Sequence, residues 1–164
     1  MTDGRNGPKV GENGSLTAEE DLLVDFLNTL DVEDGADELG SAEGLAAWAG
    51  AHGLEPGDPG DARSTRDALR SLVTGGQPRL PSVSLVPSCD GDGVCLTSTT
   101  VAEAALAATV VLSIQGRIKR VKLCQAETCR YAYYDRSRNG SRAWCSMETC
   151  GNRQKARSFR SKQA

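Results

Sequence analysis

The sequence predicts an α+β chain in two parts behind a disordered tail (residues 1–16). A mainly helical N-terminal domain with a β-hairpin covers residues 17–118, and a small four-cysteine module, a short hairpin plus a C-terminal helix, covers residues 119–164. Three observations carry this division. Apolar residues recur at helical intervals in several stretches before Gly116. Four of the six cysteines then fall into two matched pairs from Cys124 onward. The charges are segregated as well: residues 1–116 hold 6 Lys and Arg against 19 Asp and Glu, whereas residues 117–164 hold 13 against 3. At 164 residues there is room for one ordinary domain and an appendage too small to bury a core of its own.

The tail, with its GRNG and GENGS runs, carries no periodic apolar pattern. Thr17 followed by Glu20 has capping-box spacing, and Leu22, Leu23, Phe26, Leu27 and Leu30 continue as one face of a first helix. Ser41 caps a second helix carrying Leu45, Trp48 and Ala49, which stops near Gly53. Asp58-Pro59 opens a third, with Ala62, Arg66, Leu69, Leu72 and Val73 inward, and Gly75-Gly76 ends it. Ser82 to Val86 and Val94 to Ser98 read as the strands of the hairpin, joined through Asp90-Gly91-Asp92-Gly93. Cys89 and Cys95 flank that turn, either as a further ligand pair or, by the usual habit of free cysteine, as packing residues. Thr100 with Glu103 caps a fourth helix running through Leu106, Val110, Val111 and Ile114 to Gly116, which completes the N-terminal core.

Several classes of protein are disfavoured. The stretch Val101 to Ile114 is too short to span a bilayer and the first residues hold no apolar signal region, so a cytoplasmic protein without a membrane partner is expected. No phosphate-binding glycine loop, nucleophile elbow or framed carboxylate pair is present, and no catalytic residue is predicted. His52 stands alone in an Ala-His-Gly context and is expected to be structural, as are Trp48 and Trp144.

Past Gly116, Ile118, Val121 and Leu123 form a short extended lead into the cysteines. Cys124-x4-Cys129, fifteen residues, then Cys145-x4-Cys150 supplies four thiols, and in a reducing compartment such pairs are ligands rather than disulfides. Four thiolates in a tetrahedron make a closed structural site for one zinc ion, with no open position for water. Tyr131, Tyr133 and Tyr134 favour strand, Asn139-Gly140 marks a turn, and the segment between the pairs can run out and back. From Met147 the chain is helix-compatible, so the second pair straddles the first turn of the terminal helix, whose unsatisfied N–H groups favour thiolate. Arg142 and Arg153 would add charge-assisted support around the metal.

Arg136, Arg138 and Arg142 on the loop and Arg153, Lys155, Arg157, Arg160 and Lys162 on the helix are the candidate DNA contacts. Arg153, Arg157 and Arg160 share a helix face, and a helix of this size suits a major groove, where Arg forks onto guanine or phosphate. Two plainer readings stand beside this one: a solvated basic tail attracted weakly to phosphate, and masking of the basic part by the acidic part. The three tyrosines could instead stack on unpaired bases, which would make RNA the partner.

Trp144-Cys145-Ser146-Met147 followed by Cys150-Gly151-Asn152-Arg153 resembles the signature of the CGNR zinc-finger family. The companion pattern of that family, a C-x4-C pair, an aromatic strand, an Asp and an Arg-x-Gly stretch, is matched from Cys124 through Asp135 to Gly140. Asp25-Phe26-Leu27-Asn28-Thr29-Leu30 resembles the start of the mainly helical ABATE domain that precedes the finger in that family. The resemblance implies a transcription regulator, often stress-related; on the DNA-binding reading the N-terminal domain would sense a signal or form a homodimer. A protein-interaction adaptor, or a thiol redox switch in which oxidation of Cys145 or Cys150 expels the metal, remains open on the same residues.

Overall fold

The computed structural model describes residues 17–89 and 93–161; the tail over residues 1–16 and the terminal Lys162 lie outside the described residues. The expected caps form. Thr17 opens α1 (Ala18–Leu27): its hydroxyl accepts from the Glu20 N–H at 3.4 Å, while its own N–H donates to the Glu20 carboxylate at 3.0 Å. Ser41 caps α2 (Ala42–Ala51), Asp58 caps α3 (Pro59–Val73) with proline in its first turn, and Thr100 caps α4 (Val101–Ile114) through a second capping box.

α1 ends at Asn28, short of the expected Leu30, which instead opens β1 (Leu30–Asp31). β1 pairs with β2 (Ala36–Asp37) in a small hairpin that the sequence reading missed. The Asp31 carboxylate builds its return by accepting from the N–H groups of Glu33 and Asp34, and Gly35 supplies a φ of +69°. Arg66 fastens the hairpin to α3. It lies on the face read as apolar and is buried, and its guanidinium forks onto Asp37 at 2.5 and 3.0 Å. The Arg66 hydrogen bond in turn holds the Asp37 carboxyl below its ordinary range, against a smaller opposing effect of burial.

The core lies among α1, α3 and α4, where Leu23, Phe26, Leu27, Leu69 and Leu112 are fully buried. Each such side chain contributes about 1.5–3 kcal/mol. α4 is buried along most of its length because Ala102, Ala104, Ala105, Ala107 and Ala108 let its neighbours approach closely. Trp48 of α2 meets Phe26 edge-on at 5.7 Å and stacks on His52 at 3.8 Å, so all three rings serve packing.

β3 (Val86–Cys89) pairs with β4 (Val94–Thr97), which corrects the expected first strand over Ser82 to Val86. The ladder runs from Val86–Thr97 to Cys89–Val94 and leaves residues 82–85 outside any strand, while Asp90, Gly91 and Asp92 of the expected turn lie outside the described residues; alternation alone did not set the register. The same register sets Cys95 opposite Ser88, so Cys89 and Cys95 face opposite sides and cannot share an ion. Nor are they buried packing residues: Cys89 is exposed and Cys95 half-buried.

The cysteine-rich end is joined to this core. Residues Ile118–Arg120 form a 3-10 turn that leads into β5 (Val121–Leu123), which pairs with β6 (Ala132–Tyr134). Val121, Leu123 and Ala132 are buried in the same apolar cluster as Phe26 and Leu69. The tyrosine segment therefore pairs with residues before the first cysteine, and not with its own continuation. Asn139-Gly140, with Gly140 at φ +59°, closes a loop rather than a hairpin. Ser146 opens a wide π-type turn, Met147–Gly151, which runs on into α5 (Asn152–Ser161). Among the described residues no helix is long and apolar enough to cross a membrane.

Candidate metal centre

The hairpin β5–β6 carries Cys124 and Cys129 in its connection, while Cys145 and Cys150 bracket the turn that opens α5. The Cys124 N–H donates to the Tyr131 carbonyl at 2.8 Å, and the Cys129 N–H to Ala126 at 2.9 Å, which folds the first pair into a knuckle. The Gln125 N–H reaches the Ala143 carbonyl at 3.0 Å and ties that knuckle to the second pair. The four sulfurs end within 4.8 Å of one another, with Cys129–Cys145 and Cys145–Cys150 both at 3.7 Å. A tetrahedron of sulfurs about 2.3 Å from a central ion has edges of about 3.8 Å. The cluster therefore fits a four-thiolate metal site, and these separations are far beyond the roughly 2.05 Å of a disulfide.

Burial pushes the Cys145 thiol far up, and the adjacent Cys129 and Cys124 sulfurs push the same way. Burial also raises Cys129, to about 11. At Cys124 burial is outweighed by backbone donors from Cys145 and Ala126 and by its thiol neighbours, which hold it below the ordinary value. Four thiols so close cannot all ionise unaided, and a divalent cation is the group that would let them. For the first pair the backbone donors are Cys145 and Ala126 at Cys124 and Tyr131 at Cys129.

Around the sulfurs, Arg142 bonds the Trp144 carbonyl at 2.9 Å and the Cys145 carbonyl, and lies over the Tyr133 ring at 5.1 Å. Tyr133 is buried and its hydroxyl donates to the Arg142 carbonyl at 2.7 Å. Asp135, fully buried, accepts from Lys122 at 2.7 Å and from the N–H groups of Ser137 and Arg142, both at 2.9 Å. Burial raises the Asp135 carboxyl, but these donors prevail and pull it down to about 2. Arg120 binds the Ser137 carbonyl at 2.5 Å, so the loop after β6 wraps two cations of β5 and the turn before it. A side chain on Gly151 would meet the Met147 sulfur at 2.9 Å, which is the packing reason for glycine beside Cys150. Asn152 donates to the Glu148 carbonyl at 3.1 Å.

The predicted DNA contacts divide in two. Arg138, Lys155, Arg157 and Arg160 are exposed. Arg142 is committed to the carbonyls beside the sulfurs, Arg153 pairs with Glu33 at 2.9 Å, and Arg136 is half-buried with a partner of its own.

Sequence reasoning missed the residues that join finger to helical domain. Asn28 accepts from the Ala132 N–H at 2.7 Å and donates to the Ala132 carbonyl at 3.0 Å. Buried Arg70 donates to the Leu27 carbonyl at 2.6 Å and the Arg130 carbonyl at 2.9 Å. Only the Asp-Phe-x-Asn-Thr resemblance marked out Asn28, and no local signal marks Arg70.

A helical domain sharing its core with a four-thiol knuckle and a short basic helix defines a metal-binding module of the zinc-finger type. The sequence matches the CGNR zinc finger over residues 120–163 and, over residues 20–118, the ABATE domain, described as "Putative stress-induced transcription regulator". The chain belongs to the ABATE family, with the CGNR finger following that domain. Comparison with curated proteins gave no match.

Proposed function

We propose that the chain is a DNA-binding transcription regulator, without enzymatic activity, whose finger is fixed by one structural zinc ion on Cys124, Cys129, Cys145 and Cys150. The observation that carries this reading is the gathering of four sulfurs within 4.8 Å at the base of a helix whose Lys155, Arg157 and Arg160 are all exposed. When bound, zinc supplies a closed cross-link that orders chain otherwise too short to fold alone. The Ser146 turn leads into α5, of which no residue is buried, and its exposed Lys155, Arg157 and Arg160 can meet phosphate or guanine.

Two further features favour duplex DNA. Arg117 and Arg153 of the basic part pair with Glu20 and Glu33 of the acidic part, while Arg138, Lys155, Arg157 and Arg160 stay exposed, which supports a finger surface open to a polyanion. Tyr133 is buried under Arg142, which removes one of the three rings that stacking on single-stranded RNA would use.

Selection from a random duplex pool by the zinc-loaded full chain, followed by anisotropy titrations at several salt concentrations, tests the proposal. An enriched sequence should emerge, bound with an affinity that falls steeply, by roughly 10³-fold or more between 50 and 200 mM salt if six or more phosphates are neutralised. An unenriched pool together with salt-independent binding would overturn the reading in favour of an adaptor for an acidic protein.

A further inference from the structure

The basic residues that the sequence pointed to lie on α5 and the loop before it, but a positively lined concavity lies elsewhere. A cleft of about 550 Å³ opens between the β5–β6 hairpin and the C-terminal end of α3. Lys119, Lys122, Gln125, Arg130, Ser141 and Arg142 line it, and no carboxylate does. Among the described residues Lys122 alone of its four cations has a carboxylate within ion-pair distance, the buried Asp135. Behind the cleft stands Arg70, whose buried guanidinium meets two carbonyls, one of them that of Arg130. Burial, and then repulsion from Arg66 and Arg130, pull the Arg70 pKa down, so Arg130 adds its positive charge to one already buried beside it.

Arg130 adds a second kind of observation. Its φ of +52° makes it the one non-glycine in the left-handed region among the described residues. The tight turn demands it, since the N–H groups of Cys129 and Arg130 both donate to the Ala126 carbonyl, at 2.9 and 3.1 Å. Glycine would take that conformation without strain. A guanidinium at a position that favours glycine is accounted for if the side chain is used.

We infer that this cleft is a phosphate clamp: Lys119 and Arg130, with the Ser141 and Gln125 side chains, grip backbone phosphates of the duplex that the finger contacts. The inference rests on the proposed DNA-binding reading and gives it a second point of attachment, on the face of the hairpin. The lining favours a bare phosphate over a nucleotide, because its one aromatic ring, Tyr133, is buried with the Arg142 guanidinium over it and offers no face to a base. Strand phosphates and free inorganic phosphates share this chemistry, and the experiment separates them.

The test uses the zinc-loaded full chain with Lys119→Ala, Arg130→Gly and the double variant, and Arg79→Ala as a charge-removing control outside the cleft. Anisotropy with the enriched duplex and with a scrambled one is followed against salt, and pyrophosphate is titrated separately. Each phosphate contact removed should lower the slope of log K against log salt by about 0.9, and the double variant by about twice that. The loss should be equal on both duplexes, because phosphate contacts carry no sequence information. Arg130→Gly should melt no lower than the parent, since glycine relieves the backbone, so weakened binding cannot be assigned to misfolding. A double variant with the parent slope, or one that loses only the enriched sequence, overturns the clamp while the DNA-binding reading stands. Lost pyrophosphate affinity with unchanged duplex affinity assigns the cleft to a free anion and overturns it too. A parent chain that binds no duplex sinks the underlying reading and the clamp with it.

Discussion

Asn28→Ala is the sharpest test of how the two parts are joined. Asn28 sits at the C-cap of α1 and uses both ends of its amide on one residue, accepting from the Ala132 N–H at 2.7 Å and donating to the Ala132 carbonyl at 3.0 Å. It thereby acts as a one-residue third strand on the free edge of β6. Ala132 is fully buried, so truncation strands a backbone donor and an acceptor where water cannot readily replace the lost partner. At about 1–3 kcal/mol for each stranded group, the loss amounts to about 2–6 kcal/mol. For a chain of this size that corresponds to a melting temperature lower by roughly 5–15 °C. Urea and thermal unfolding at fixed zinc concentration, with amide exchange read at Ala132, measure it. Asn28→Asp separates the two bonds, since it keeps an acceptor for the Ala132 N–H but sets a carboxylate against the carbonyl. An Asn28→Ala chain within about 0.5 kcal/mol of the parent, the range of an ordinary surface substitution, with the Ala132 amide still protected, would refute the edge-strand argument.

Three other outcomes are expected. Cys124→Ser should abolish stoichiometric metal binding, whereas Cys89→Ser and Cys95→Ser should not, because the hairpin sets those two on opposite faces; metal content of the purified reduced protein decides. Asp135, held at about 2 in the folded chain against about 3.9 unfolded, contributes stability that is complete above about pH 4 and lost as the pH falls through about 2. That part amounts to about 2 kcal/mol, and the difference in acid stability between parent and Asp135→Asn isolates it. Asp37→Asn leaves the buried Arg66 guanidinium without its forked partner and should destabilise by about 3–5 kcal/mol in urea unfolding, and the double change with Arg66→Met should recover much of the loss.

What the sequence made legible is what short-range physics encodes. Thr17, Ser41, Asp58 and Thr100 each bond a backbone N–H three residues on, so four helix starts could be read without tertiary information. The cysteine pairs were equally local, since their spacing states the ligand set. Illegible were contacts made across the fold. Asn28 and Ala132 are 104 residues apart, and nothing near either announces the other. Arg66 reads as a flaw in an apolar face until Asp37 comes within reach, and Arg70 until two carbonyls do. Alternation over Ser82 to Val86 suggested a strand, but a ladder needs a partner in register, and the pairing with β4 begins only at Val86. Arg142 and Arg153 were read both as supports of the metal and as DNA contacts. Arg142 lies against the Trp144 and Cys145 carbonyls, while Arg153 pairs with Glu33 and feels the Cys150 and Cys129 sulfurs less strongly.

These contacts bear on how the finger would meet a duplex. The β5–β6 hairpin is held by the apolar core, by Asn28 and by Arg70, so the basic cleft on it is rigid and formed in advance. α5 is different: none of its ten residues is buried, and Phe159 is 63% exposed. A helix of ten residues is marginal in water without packing along one face, and here the Met147–Gly151 turn and the exposed Arg153–Glu33 pair hold its first turn alone. On the proposed reading the two elements would therefore divide the work of binding. The preformed cleft meets phosphates at little ordering cost and sets the register, while α5 gains its packing partner only in the groove. Sequence preference then resides in the element that orders on binding, and salt-dependent affinity in the one already ordered.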